Sequence, residues 1–311
     1  MKNLRIALEE YLNIRRAFGF KLRLAGSLLK KFVLFIEQKG AEFITRDLAL
    51  RWATQPKDAL TSTWAARLCM VRNFAQYVSA SDPRTEVPPK GLLPHRYHRK
   101  PPYIYSDGEI CRLIEAAKQL PSKNGLRPYT YSTLFGLIAV TGMRMIEPIR
   151  LDNKDVDLTH GVLTIRQTKF DKYRLVPVHK TIQRVLQQYA RKRAQIFPRP
   201  KTPSFFVSDH DSRLTDWTVR WTFAKVSCQI GLRKPGKSHG HGPRLHDLRH
   251  RYAVKTILNW YQAGKDVDRE MPKLATYLGH AHVNDTYWYL TAVPELMYLV
   301  TMRLESTEED F

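Results

Sequence analysis

The run YLGHAHVNDTYWYLT, residues 277 to 291, places Tyr287, Trp288 and Tyr289 a few residues beyond His280 and His282. A phenol there could attack phosphorus, but aromatics at helical spacing usually pack a core, so this stretch alone leaves both roles open. In TGMRMIEPIRL, Arg144 follows Gly142, where one helix has ended and another begins. Backbone N–H groups at a helix start favour an anion, and an arginine adds a planar fork that matches phosphate; a surface ion pair with Glu147 is the plainer use. Lys169 lies in the turn of TIRQTKFDKYRLVPV, a place where lysines are commonly just solvated. His246 and Arg249 in RLHDLRHRYAV fall one helical turn apart on one face. His280 follows Gly279 at a helix end, where capping is common.

The surrounding sequence predicts the elements that would carry these residues. Residues 1–82 read as four amphipathic helices: LRIALEEYLNIRRAF spaces Leu4, Leu8, Tyr11, Leu12 and Arg15 helically, LAGSLLKKFVLFIEQKG stops at Gly40, TRDLALRWATQ has Thr45 as its cap, and TSTWAARLCMVRNFAQYVSA is the longest. Six prolines between Pro83 and Pro102 predict an extended linker over residues 83–102, basic through Lys90, Arg96, Arg99 and Lys100. Beyond it, residues 103–311 form the second domain. Ser106 and Glu109 form a capping-box pattern, and YTYSTLFGLIAVTG reads as a buried helix ending at Gly142. GVLTIRQ and YRLVPV alternate like a hairpin, HKTIQRVLQQYARKRAQIF returns to helix, and SFFVS reads as a short strand. The fold class is therefore mainly α with a small antiparallel β-sheet in the second domain. TAVPELMYLVTMRL reads as an apolar helix, and ESTEEDF as a solvated tail.

A chain of 311 residues is long enough for two cores. Lys and Arg number 51 against 29 Asp and Glu, a net charge of +22. Residues 1–98 alone hold 17 basic and 8 acidic side chains, a balance of +9. Such a field calls for a polyanionic partner, most simply nucleic acid. No segment approaches the roughly 18 apolar residues that a membrane span needs. Cys69, Cys111 and Cys228 are too few and too dispersed for a disulfide framework or a CxxC metal site, which fits a reducing cytoplasm and, with the charge, the nucleoid.

Order and spacing bind the single residues together. TGxR with a glutamate three residues on, a lysine hairpin ending in RLVPV, HxLRH, and LGH with a tyrosine nine residues beyond its histidine follow one another between Thr141 and Tyr289. This series resembles the tyrosine recombinases, the phage integrase-like family, over roughly residues 103–300, and the helical first domain is similar to that family's core-binding domain. The resemblance implies that Arg144 and Arg249 grip a scissile phosphate, that Lys169 is the hairpin lysine, that His246 and His280 are the histidines of HxxR and LGH, and that Tyr289 is the nucleophile. Tyr287, two positions out of register, is assigned to packing or DNA contact.

These roles require these residue types. Two permanently charged guanidiniums hold the charge that builds on the phosphoryl oxygens. A phenol with a pKa of about 10 needs a base or a positive site before it attacks, and His246 is the candidate base, or a donor to the phosphate. Lys169 is the candidate acid for the departing 5′-oxygen, and His280 a donor to a phosphoryl oxygen. The product is a 3′-phosphotyrosyl bond, formed with no metal and no cofactor. The implied activity is site-specific recombination of double-stranded DNA, with a mobile element as its carrier, by a homo-oligomer in a tetrameric synapse that a second recombinase could share. The family's use of its C-terminal segment implies docking of the apolar helix on a neighbouring protomer, with packing in cis equally open. A DNA-binding regulator without catalysis and a type IB topoisomerase-like relaxing enzyme are the alternatives. His239 and His241, with His246, His250, His280 and His282, raise a zinc site as a third, but typical zinc spacing is missing and metal binding is not expected.

Overall fold

The computed structural model describes residues 3–94, 101–166, 173–235, 242–292, 296–298 and 301. Its contacts divide the chain into two units, Met1–Lys100 and Pro101–Phe311.

The first unit holds α1 (Leu4–Ala17), α2 (Arg23–Gln38), α3 (Arg46–Thr54) and α4 (Thr61–Ser79). Leu4, Leu8, Tyr11 and Leu12 turn inward from α1, as their spacing requires, to meet Phe32, Trp52 and Phe74 in one core. Thr45 caps α3, its hydroxyl accepting from the Leu48 N–H at 3.2 Å. The first part of the proline-rich stretch is held against this unit. Arg72 donates to the carbonyls of Pro88 and Pro89, both at 2.7 Å, and Val87 and Leu93 pack on the core. The basic residues Arg96, Arg99 and Lys100, with His95, Tyr97 and His98, lie outside the described residues.

The second unit is helical around a small sheet: α5 (Asp107–Lys118), α6 (Leu126–Thr141), α7 (Ile146–Arg150), β1 (Val156–Asp157), β2 (Val162–Ile165), β3 (Arg174–Pro177), α8 (Lys180–Ile196), α9 (Asp216–Gln229), α10 (Asp247–Gln262), α11 (Val267–Leu278) and α12 (Asn284–Ala292). The Ser106–Glu109 capping box opens α5, the hydroxyl accepting from the Glu109 N–H at 3.1 Å and the carboxylate from the Ser106 N–H at 2.8 Å. Helix α6 is buried along most of its surface and ends at Gly142, in the left-handed conformation. The hairpin β2–β3 pairs antiparallel with Leu163 opposite Val176, and β1 adds a third strand that the sequence pattern does not announce.

SFFVS is not a strand. Ser204 and Val207 make only isolated bridges, to Asp152 and Arg213, while Phe205 and Phe206 both turn into the core. Burial of two successive aromatic side chains breaks the alternation a half-buried strand needs. A separate apolar cluster ties α10, α11 and α12 together through Val254, Ile257, Leu274 and Leu278, and Leu296 is fully buried within it. Leu296 of the C-terminal apolar stretch thus packs in cis while Met297 and Tyr298 are exposed; residues 293–295, 299–300 and 302–311, the acidic tail among them, lie outside the described residues.

Candidate functional site

Two left-handed glycines shape the site. Gly142, at φ +61°, ends α6, and Gly279, at φ +70°, ends α11. A Cβ on Gly279 would stand 2.7 Å from Nη1 of Arg174 and 3.4 Å from Nη1 of Arg144, so no larger residue fits there without displacing a guanidinium. A Cβ on Gly142 would meet the Tyr252 ring at 2.6 Å. The carbonyls at these helix ends are the acceptors that position the arginines. Arg249, on the first turn of α10 and only 2% exposed, donates from Nη1 to Gly142 O and from Nη2 to Leu278 O, each at 2.8 Å. Arg144 donates from Nη2 to Gly279 O at 2.7 Å. A terminal guanidinium nitrogen carries two N–H groups, so each can hold a carbonyl and still offer one to a phosphate oxygen.

Glu147 sits between two cations. It is 6% exposed, accepts from the Arg144 backbone N–H at 2.7 Å and from its Nη1 at 3.2 Å, and takes both terminal nitrogens of Arg174 at 2.8 and 2.6 Å. The surface ion pair raised as the plain alternative is therefore a buried three-member network. Burial alone would raise the Glu147 pKa, but the Arg174 hydrogen bonds, with the charges of Arg174, Arg144 and Arg249, hold it below the ordinary carboxylate value. Arg249 is pushed down to about 10, first by burial and then by Arg144, and stays cationic at neutral pH.

Tyr289 lies on the buried side of α12, 2% exposed. Its hydroxyl is 3.1 Å from Nδ1 of His250, and its ring stacks on that of His280, with centroids 6.4 Å apart and planes at 22°. His280 is oriented by Thr286, fully buried, whose Oγ1 lies 2.6 Å from the ring Nδ1. The threonine three residues before the tyrosine thus sets the histidine that flanks it. His246, the residue that caps α10, presents its ring edge-on to His250 with centroids 4.7 Å apart. Desolvation, then the charges of His250 and Arg249, push the His246 pKa down to about 4. Both drive toward neutral imidazole. Tyr287 turns elsewhere, donating to Asp268 at 3.0 Å.

Arg144, His246, Arg249, His280 and Tyr289 therefore meet in one corner built from the ends of α6 and α11, the start of α10, and α12. Lys169 lies outside the described residues, as do His239 and His241. Sequence reasoning missed Arg174 and His250 as members. The signal for Arg174 was its place at the start of the second hairpin strand, whose other end returns to the apolar core. For His250 it was adjacency to Arg249, one turn on from His246.

The chain is similar to known proteins over most of its length. Residues 105–295 match the model of the phage integrase family. A Sinorhizobium fredii protein named integrase/recombinase y4rB is 47% identical over 314 residues, covering 100% of this chain and 99% of its own length. The tyrosine recombinase XerD of Staphylococcus epidermidis is 28% identical across 91% of this chain and 92% of its own. Among solved structures, the XerH site-specific recombinase bound to difH substrate shares the fold with a TM-score of 0.67 at 18% identity, covering 91% of this chain and 80% of that one. The Tn1549 transposon integrase in complex with transposon right end DNA gives 0.65 at 12% identity, covering 93% and 94%.

Proposed function

The chain belongs to the phage integrase family and is a tyrosine site-specific recombinase; from that premise we propose that Tyr289 is its nucleophile and Arg144 and Arg249 its phosphate clamp. The observation that carries the proposal is the convergence of Arg249 and Arg144 on the ends of the two glycine-ended helices beside Tyr289, whose ring has His280 stacked on it and His250 edge-on to it. Double-stranded DNA is the substrate. The guanidiniums bind the non-bridging oxygens of one phosphate and stabilise the charge that develops as Tyr289 Oη approaches phosphorus. A new Oη–P bond forms, the P–O5′ bond breaks, and the DNA is left joined through a 3′-phosphotyrosyl ester. Lys169 protonates the departing 5′-oxygen, and His246 and His280 donate to the phosphate. Because the ester replaces one phosphodiester by another, a 5′-hydroxyl from a second duplex reverses the step without an energy source. The chemistry needs no metal.

Strand exchange needs one nucleophile for each strand cut, hence a homo-oligomer on DNA, four protomers to a synapse of two sites, with a second recombinase as an optional member. The basic first unit, residues 1–82 with the linker to 102, acts as the core-binding domain, and residues 103–311 as the catalytic domain. A transposon integrase of the same fold and the integrase/recombinase relative support a mobile element as the source of the DNA that is moved. Nucleoid association follows from the net charge of +22. No helix among the described residues is long and apolar enough to cross a membrane.

The deciding experiment traps the protein on DNA that carries its own flanking sequences, digests the adduct and maps the modified residue. A phosphodeoxynucleotide on Tyr289 supports the proposal; one on Tyr287 or any other residue overturns it.

A further inference from the structure

The hydroxyl of Tyr289 lies 3.1 Å from Nδ1 of His250, while His246, the histidine that sequence reasoning put forward as base, sets its ring edge-on to His250. We infer that His250 is a catalytic residue, the general base that takes the proton of Tyr289 as the phenol attacks phosphorus. The inference rests on the assignment of Tyr289 as nucleophile.

Three observations carry it. The contact is direct, Nδ1 to Oη at 3.1 Å, and lies in a buried setting, with His250 7% and Tyr289 2% exposed. A base must reach the proton it removes, and at this distance no water need intervene. The His250 ring is also held on several sides. The His246 ring meets it edge-on at 4.7 Å and Trp288 at 5.6 Å, while Tyr289 is itself backed by His280. Finally, His250 follows Arg249 directly on the first turn of α10, so the helix that places the phosphate clamp also places the base. As the Oη–P bond forms and the P–O5′ bond breaks, the phenolic proton passes to Nδ1, which requires the tautomer protonated at Nε2. The leaving 5′-oxygen takes a different proton, from a cationic amine, and the ester keeps its single negative charge. His246 is then freed for the phosphate side, where a donor is needed.

Among the described residues, the titratable and charged groups near His250 include His246 at the N-cap of its helix, Asp247 and Arg249 on that helix, Tyr289 and, beyond Tyr289, His280. Variants must therefore be read as a set. The test uses the full chain and a nicked DNA substrate whose cleavage is irreversible, with single-turnover adduct formation followed from pH 5 to 10. In His250→Asn the side-chain amide keeps a polar group near the Nδ1 position but accepts no proton. It is expected to lower the rate at neutral pH by on the order of 100-fold and to replace the acid limb of the profile by a rate that keeps rising with pH as phenolate forms. Replacing the bridging 5′-oxygen by sulfur, a leaving group that needs no acid, is expected to leave this defect in place. His246→Asn is expected to lower the rate yet keep the acid limb. His250→Gln serves as a second variant should Asn disturb folding, with specific DNA binding as the check on both.

A wild-type rate and profile in the His250 variants overturn the inference. So does rescue by the sulfur substrate, which would move His250 to the leaving-group side, and so does loss of the acid limb in the His246 variant alone. Failure of the underlying assignment is separately visible, because Tyr289→Phe would then still form an adduct.

Discussion

In the first unit most of the ion pairs among the described residues stand in water, with Asp82 and Glu37 the more sheltered partners. Lys30–Glu9 and Arg51–Asp47 join side chains that are all more than half exposed, and Arg46–Glu86 differs little. The second unit has such pairs too, on α5 and α9, but it also buries charge: Glu147 and Asp247 in ion pairs, and Arg249 against backbone carbonyls. The difference is one of use. Exposed pairs contribute little to stability and leave their cations available to a polyanion, whereas a buried charge is costly unless every partner is in place. The first unit carries charge as a field. The second carries it as geometry, and the geometry is the site.

The largest effect should follow from removing the group on which that geometry converges. Tyr289→Phe keeps the ring between His250 and His280 and is expected to bind specific DNA normally while forming no covalent adduct, measured on denaturing gels. Next come the clamp residues. Arg144→Ala and Arg249→Ala are each expected to slow adduct formation by about 10²- to 10³-fold, the cost of an oxyanion donor. The two should then separate. Arg249→Ala also leaves the Gly142 and Leu278 carbonyls without their donor in a buried place and should lower the thermal midpoint, while Arg144, a third exposed, should lower it less. Equal midpoints for the two variants would erase the distinction between clamp and scaffold.

Glu147 tests the buried network without touching the reacting atoms. Glu147→Ala removes the shared partner of Arg144 and Arg174 and is expected to cost about 3–5 kcal/mol of stability, as breaking a buried pair does. Its pH dependence has a definite sign. The folded pKa of Glu147 lies below the unfolded carboxylate value, so its contribution is complete above that value and is lost as pH falls through the folded one. His246, lowered to about 4, adds in the same direction: between about 6.5 and 4 the unfolded chain binds the extra proton, so stability falls as pH falls. Denaturant melts from pH 7 to 3 should show a decline that, below the ordinary carboxylate value of about 4.5, is shallower in Glu147→Gln. A parallel decline in that variant would remove Glu147 from the explanation.

What the sequence made legible follows the same division. The four helices of the first unit were readable because their apolar residues recur at helical spacing over long runs, and Thr45 and the Ser106–Glu109 pair mark helix starts by local hydrogen bonds. The fold's errors were short and non-local. SFFVS has strand composition but is held by burial of both phenylalanines, and β1 is two residues long and owes its existence to pairing with β2. Of the site, residues set by motif order were nameable, whereas Glu147 looked like a surface partner because nothing local says that Arg174, 27 residues on, closes over it. His250 was invisible for a similar reason: its partner is 39 residues away, on another helix.

The smallest expected effect on stability belongs to the first unit, and it sharpens the contrast most. Lys21, between α1 and α2, and Arg23, the first residue of α2, are exposed and hold no ion pair among the described residues, beside the exposed Phe20 and Leu24. If charge here serves as a field, Lys21→Gln with Arg23→Gln should leave the thermal midpoint unchanged. DNA binding should weaken across sequences, and the slope of log affinity against log salt should flatten by about 0.9 for each phosphate no longer neutralised. A Glu147 variant should do the reverse, losing stability while keeping the salt slope of whatever folded protein remains. Measuring both slopes and both midpoints on one DNA fragment settles the matter, because a polyanion reads the number of mobile cations, while the folded core responds only to charges that have no water to fall back on. A midpoint that drops in the Lys21/Arg23 variant as far as in the Glu147 variant would mean that the two units do not divide the work of charge at all.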